Sequence, residues 1–295
     1  MNKLQKDIEI TWFSWLKTKA FTKYFFSINS EEDIYYLPEI IDFCKKNKLN
    51  FFFLGDWTNV FFDFYVFSWI IIKNNLKWWS FDSNYILQAY SGENISSIAY
   101  QIRKNYKLNK CYRFIGLPWS VWWAVVGNAW CFWLEISNIF LKARVFDIKT
   151  KNIRTFDHKN LLFKYRNSSL KNNEKYFVVD CYFDIATNKE KYSSNIDVFN
   201  FRKNHQPQWN SCWSFFKNPS REVSAGRLLE DAEFKGYEYN TAFFSSKHAN
   251  FLMTNTNNAN YKDVEHLIQK ATNKIKKQFW YSLINEVNIL TNKSQ

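Results

Sequence analysis

Glycine is scarce in this 295-residue chain: 6 residues, alongside 4 prolines and 2 methionines. Ordinary usage is about 7%, so roughly a dozen glycines are missing. No block of five like charges occurs, which excludes a polyacidic or polybasic tail. The 5 cysteines (Cys44, Cys111, Cys131, Cys181, Cys212) lie far apart with no C-x-x-C. That excludes a zinc-type spacing and points to free thiols in a reducing compartment. The 4 histidines are equally dispersed, so no metal site is expected. MNKLQKDIEI has no apolar core of the signal-peptide kind, and a cytoplasmic location is expected.

What is present fits a globular protein. The chain is 46% apolar and 23% charged, and long enough for two or three domains. A net charge of +13 admits nucleic acid, anionic lipid or an anionic small molecule as partner. Most of the excess is scattered lysine, which reads as a solvated basic surface. Tryptophan, at 14, is in surplus, and five stand at 119, 122, 123, 130 and 133. The twenty uncharged residues from Ile115 to Leu134 are formally long enough to span a bilayer. Pro118, Ser120, Asn128 and the lack of a Leu/Ile run argue against a span.

The surplus and the deficit match. Tryptophans occupy contexts that favour glycine: the turn after the apolar run Phe51–Leu54, the loop around Gly127, the turn-like NSCWSFF, and Trp280 at the end of a helical pattern. Exchanging Trp for Gly at 57, 69, 78, 119, 122, 123, 130, 133, 209, 213 and 280 brings the counts to 17 glycines and 3 tryptophans, an ordinary composition. A gene whose UGA codons are read as glycine would explain this.

Periodicity predicts a helix over 33–49, strands at 51–54, 70–72 and 85–90, and a helix over 91–105 with Ser91 as N-cap. A loop-rich 115–134 follows, then strands over 139–148 and 176–185, and a polar boundary at 188–195. Helices at 224–231 and 261–278 flank strands near 243–253. Irregular mixing of the two elements makes the class α+β.

With glycine at those positions, LGDGTNV, GLPGSVGGAVVGNAGCFGLEI, FKYRNS, QPQGNSCGSFFKNP, AGRLLEDAEFKGY, FFSSKHANFLM and NEVNIL run in order from 54 to 290. Together they resemble the UDP-N-acetylenolpyruvoylglucosamine reductases, flavoenzymes of peptidoglycan precursor synthesis. Two stretches depart from the family pattern: KTKAFTKYF (17–25), where a Gly-Gly pair is usual, and YNTA (239–242), where Gly-Gly-Ala is common. The resemblance implies a two-part FAD-binding fold of the vanillyl-alcohol-oxidase type plus a C-terminal α+β substrate domain. The corresponding boundaries are 1–75 and 76–197 for the FAD subdomains, 198–282 for the substrate domain, and 283–295 returning to the active site.

The same resemblance implies FAD as cofactor, NADPH as co-substrate and a UDP-sugar as substrate, in a monomer with no nucleic-acid or membrane partner. Gly55, Asp56, Trp57, Thr58 and Asn59 would face the cofactor. So would Pro118, Trp119, Ser120, Val121, Trp122, Trp123, Ala124, Asn128 and Ala129. Glycine-rich backbone at both loops could curl its N–H groups toward a diphosphate. Arg166, Ser214 and Glu286 would be catalytic, with Tyr165, Arg202, Lys217 and Asn218 on the substrate. His248 reads as structural or near the flavin. Read from the residues alone, Arg166 and Glu286 are surface residues and Ser214 a turn residue. Five indoles in the 119–133 loop would fill the space a diphosphate needs. Another FAD oxidoreductase of this fold, or a basic aromatic nucleic-acid-binding protein, remains an alternative.

Overall fold

A computed structural model describes residues 3–55, 59–171, 173–186, 198–207, 210–220 and 222–292. Asp56, Trp57, Thr58, Trp209 and the polar stretch 188–195 lie outside the described residues. The chain divides into two units. The first comprises Met1–Leu4, Phe25–Asp56 and Ile70–Phe199, the second Gln5–Tyr24, Trp57–Trp69 and Asn200–Gln295.

The first unit is built on an antiparallel sheet of five strands, in the order 152–156, 140–147, 176–184, 86–90, 79–81. Strand Tyr176–Asp184 runs through its middle and is buried along most of its length. A polar clamp crosses one face: Arg144 donates to Asp180 through Nε at 2.9 Å and Nη2 at 2.7 Å. Its Nη2 also reaches Glu31 at 2.7 Å, and this guanidinium holds the Glu31 carboxyl below its ordinary range. Phe51–Leu54 pairs in parallel with 70–73.

Helix Leu37–Lys46 is amphipathic, burying Ile40, Ile41 and Cys44, but it is shorter than 33–49. Glu31–Tyr36 before it is a 3-10 turn closed by the Ser30–Asp33 capping box. The helix predicted at 91–105 starts later, at Ile95, and runs to Tyr106. Its N-cap is Asn94, whose side chain accepts from Ser97 N, and not Ser91. Ser91 is buried and its hydroxyl donates to the Val178 carbonyl at 2.6 Å, so it serves the sheet instead. The 115–134 stretch also holds a short helix, Val121–Val126, capped by Ser120. Six residues with three apolar β-branched positions read as loop by periodicity; a supplied cap makes them one helical turn and a half.

The second unit has a four-stranded antiparallel sheet, in the order 211–214, 251–254, 242–244, 238–239. Helices Ala225–Asp231 and Tyr261–Phe279 bury Leu228, Leu229, Val264, Leu267 and Ile275 in the same core as Phe215 and Phe216. Asn288–Leu290 pairs in parallel with Val60–Phe62. All five cysteines are free and buried. Among the described residues no helix is long and apolar enough to cross a membrane, and no group of His, Cys, Asp and Glu could hold a metal.

Candidate active site

The first unit gathers the predicted residues Gly55, 118–124, 128–129 and 165–166. Gly55 is buried against the loop: a Cβ there would meet Ser120 Oγ at 2.7 Å and Trp123 Cδ1 at 3.0 Å. Ser120 is fully buried, and its hydroxyl accepts from Trp123 N at 3.4 Å. Val121 N donates to Glu93 O, Trp122 N to Ser91 O and Ala124 N to Ser120 O. The expected fan of N–H groups is therefore engaged within the unit from 121 to 124.

Asn128 braces the loop. Its amide donates to Glu135 Oε2 (3.0 Å) and Lys164 O (3.1 Å), and its carbonyl accepts from Ser137 N (3.1 Å). Ser168 adds a bond to Val126 O at 2.8 Å. Together they tie FKYRNS to the loop. Within that motif Lys164 and Asn167 exchange backbone bonds at 3.0 and 3.1 Å, closing a tight turn. Arg166 sits at its third position with φ +53°, a left-handed conformation that non-glycine residues hold only when neighbours enforce it. Its guanidinium lies 5.7 Å over the Trp119 ring, while Tyr165 is exposed.

The second unit gathers Asn59, Arg202, Ser214, Lys217 and Glu286. Ser214 ends strand Ser211–Ser214, one residue before buried Phe215. Glu286 N donates to Phe215 O at 2.8 Å and Lys217 N to Ile284 O at 2.8 Å. Phe216 and Asn285 form a bridge between those bonds. This short antiparallel ladder places Glu286 beside Ser214 in the fold. Asn59 extends it, donating from Nδ2 to Glu286 O at 3.1 Å and accepting from Asn288 N at 2.9 Å. Arg202, on helix Val198–His205, lies 5.2 Å over the Trp213 ring. Asn218 Oδ1 accepts from Ala225 N at 3.1 Å and so supports a helix start.

Asn250, quoted within SSKHANF but not singled out by the sequence, organises this ladder. It is buried, accepts from Phe216 N at 2.9 Å and donates to Phe216 O at 2.8 Å. Its backbone carbonyl takes Phe215 N at 2.8 Å. A buried amide in an apolar motif was the available signal, since such groups are retained only when paired. His248 supports it: Nδ1 accepts from Asn250 N at 3.2 Å, and burial lowers the imidazole below its ordinary 6.5.

Does the tryptophan-bearing chain fit a cofactor diphosphate at the first-unit loop? Trp119 and Trp122 are buried, Trp122 packing 5.4 Å from Phe53 and 4.9 Å from Phe177. Trp123 stacks at 6.4 Å on Phe52 and stands against Gly55. The space in front of Gly55 is indole, so the residues present do not fit the group. Of the five indoles, Trp123 stands against Gly55, Trp119 is buried beside Gly127 and Trp122 is buried between Phe53 and Phe177. Trp130 and Trp133 point outward, contrary to expectation.

The family departures have a structural counterpart. Lys17 opens KTKAFTKYF with φ +49° and Asn240 lies in YNTA with φ +50°. Both are left-handed positions held without glycine.

Comparison with known proteins is consistent across the chain. Residues 205–290 match the model of the UDP-N-acetylenolpyruvoylglucosamine reductase C-terminal domain. The UDP-N-acetylenolpyruvoylglucosamine reductase of Clostridium botulinum Eklund 17B is 31% identical over 89% of this chain and 84% of its own. That of Aquifex aeolicus is 31% identical over 85% and 84%. The solved UDP-N-acetylenolpyruvylglucosamine reductase of Thermus caldophilus superposes with TM-score 0.79 at 18% identity, covering 98% of this chain and 100% of that one. The fold is thus the two-part flavoprotein fold shared with vanillyl-alcohol oxidase, carrying a C-terminal domain. With motif order, architecture and relatives in agreement, the chain belongs to the UDP-N-acetylenolpyruvoylglucosamine reductase family.

Proposed function

We propose that the protein, with glycine at the eleven exchanged positions, catalyses NADPH-dependent reduction of the enolpyruvyl ether of UDP-N-acetylglucosamine to UDP-N-acetylmuramate, with FAD as its cofactor, in peptidoglycan precursor synthesis. The observation that carries this reading is the ladder placing Glu286 beside Ser214, inside the region that matches the family model. In this proposal residues 1–75 and 76–197 serve the cofactor, 198–282 serve the substrate, and 283–295 return to the site.

The net reaction adds a hydride at the carbon β to the carboxylate and a proton at the α carbon. As the hydride adds, charge moves onto the substrate carboxylate. Arg166 is suited to hold that carboxylate, because its planar guanidinium stays charged and matches two oxygens. Glu286 would donate a hydrogen bond to it in its protonated form. The Ser214 hydroxyl would deliver the proton to the α carbon. Lys217 and Arg202 would bind the nucleotide diphosphate as point and fork charges.

Ser214→Ala tests the assignment. UDP-sugar reduction should fall by about 10²- to 10⁴-fold, the usual worth of a proton donor. Consumption of NADPH by the enzyme without substrate should be unchanged. Equal loss of both would reject Ser214 as the donor.

A further inference from the structure

Three tryptophans stand at three different backbone sites that ask for glycine. Helix Tyr261–Phe279 ends on Trp280, left-handed at φ +64°, with its N–H on Lys276 O. This is the helix C-cap position where glycine carries no Cβ penalty. Trp130 pairs with Glu135 and Cys131 with Leu134, leaving Phe132–Trp133 as a two-residue hairpin turn. Both have positive φ, +48° and +65°, the type I′ pattern whose second position favours glycine.

The third site is a bulge. Ser211 pairs with Met253 and Ser214 with Phe251, so Cys212 and Trp213 together face Leu252. Trp213 is left-handed at φ +70°, the place glycine takes in a bulge of this form. It lies immediately before Ser214.

A bulky residue at positive φ is a genuine outlier. Trp280 and Trp133 are also 89% and 68% exposed, so little packing compensates, an edge contact of Trp133 with Trp130 aside. Trp12, Trp15 and Trp79, the three tryptophans outside the exchange set, have negative φ. At Trp119, Trp122 and Trp123 the backbone is not left-handed; there the objection is volume, because Trp123 stands against Gly55, Trp119 lies by Gly127 and Trp122 fills the gap between Phe53 and Phe177.

We infer that the working protein carries glycine at 57, 69, 78, 119, 122, 123, 130, 133, 209, 213 and 280, its codons there being read as glycine, and that the opened 119–123 loop admits a dinucleotide diphosphate. The assignment rests on backbone φ at 133, 213 and 280 and on packing at 119, 122 and 123. At 57, 69, 78, 130 and 209 it rests on composition and sequence context alone, and its consequence for the loop rests on the function proposed above.

The test is peptide mass spectrometry on the protein purified from the cells that carry the gene, covering 119–133, 213 and 280. Glycine in those peptides is expected; tryptophan in any of them overturns the inference. In parallel, both chains are made in a standard-code host, mixed with FAD and gel-filtered. The glycine chain should keep the flavin absorbance and the tryptophan chain should lose it. Flavin retained by the tryptophan chain overturns the account of the loop. Glycine peptides with no flavin held by the glycine chain leave the residue assignment standing and reject FAD as the cofactor.

Discussion

The loop Pro118–Glu135 of the first unit and the ladder of Ser211–Lys217 with 284–290 of the second each carry candidate residues, and different forces hold them. The loop is organised by volume: Trp122 fills the gap between Phe53 and Phe177, and Gly55 touches Ser120 with no room for a Cβ. The ladder is organised by hydrogen bonds: Asn250 and Glu286 bond the backbone of Phe215 and Phe216, and Lys217 N donates to Ile284 O. The strand-to-strand bonds of the ladder belong to the main chain and survive most side-chain changes, the exceptions being Asn250 and Asn59, whose amides bond it directly. A site made of space is lost when a side chain is added. The 119–133 loop is therefore the part that added side chains disturb most, while the main-chain bonds beside Ser214 and Glu286 form.

Breaking the loop should produce the largest stability change. In the tryptophan-bearing chain without ligand, Trp122→Gly should cost about 3–5 kcal/mol, the usual loss for deleting a buried large aromatic. Urea denaturation measures it, and an unchanged midpoint would show that Trp122 is not packed as described. Breaking the ladder comes next. Asn250→Ala leaves Phe216 N and O unpaired in a buried site and should cost about 3 kcal/mol. Activity should fall beyond what lost stability explains, because the backbone between Ser214 and Lys217 is no longer pinned. A kcat decrease at saturating substrate and at low temperature, where the variant is folded, distinguishes positioning from unfolding.

Trp280→Gly sharpens the comparison with the opposite sign. It removes the left-handed penalty at an exposed helix end and should stabilise by about 1 kcal/mol, read as a raised melting temperature. A lowered melting temperature would mean the indole contributes packing after all. The smallest effect concerns His248. Its folded pKa is depressed by burial, so the unfolded chain takes up the proton more readily. Stability should be level above about pH 6.5 and decline as pH falls through that value toward the folded pKa. The His248→Gln variant should lose this slope between pH 7 and 5; an identical slope would assign it to other groups.

Much of the fold was legible. Strands at 51–54, 86–90, 140–147 and 176–184 and the long helix 261–279 follow from apolar spacing, a local property of the chain. The helix start at Asn94 was not, because Ser91 and Asn94 are both good caps. What removes Ser91 is the Val178 carbonyl that claims its hydroxyl, and that carbonyl comes from a distant strand. The catalytic candidates were legible only through motif resemblance; nothing local marks Glu286, whose neighbour Phe215 arrives through sheet pairing.

The sequence alone established the α+β class, the motif order and the matching glycine deficit and tryptophan surplus, since composition and spacing need no third dimension. Only the tertiary structure separated the tryptophans into those at left-handed backbone, those packed inside the 119–123 loop and those merely exposed. The reason is physical: φ at a helix end, hairpin or bulge is set by hydrogen bonds to partners elsewhere in the chain, and the volume left for a side chain is set by its neighbours in the core.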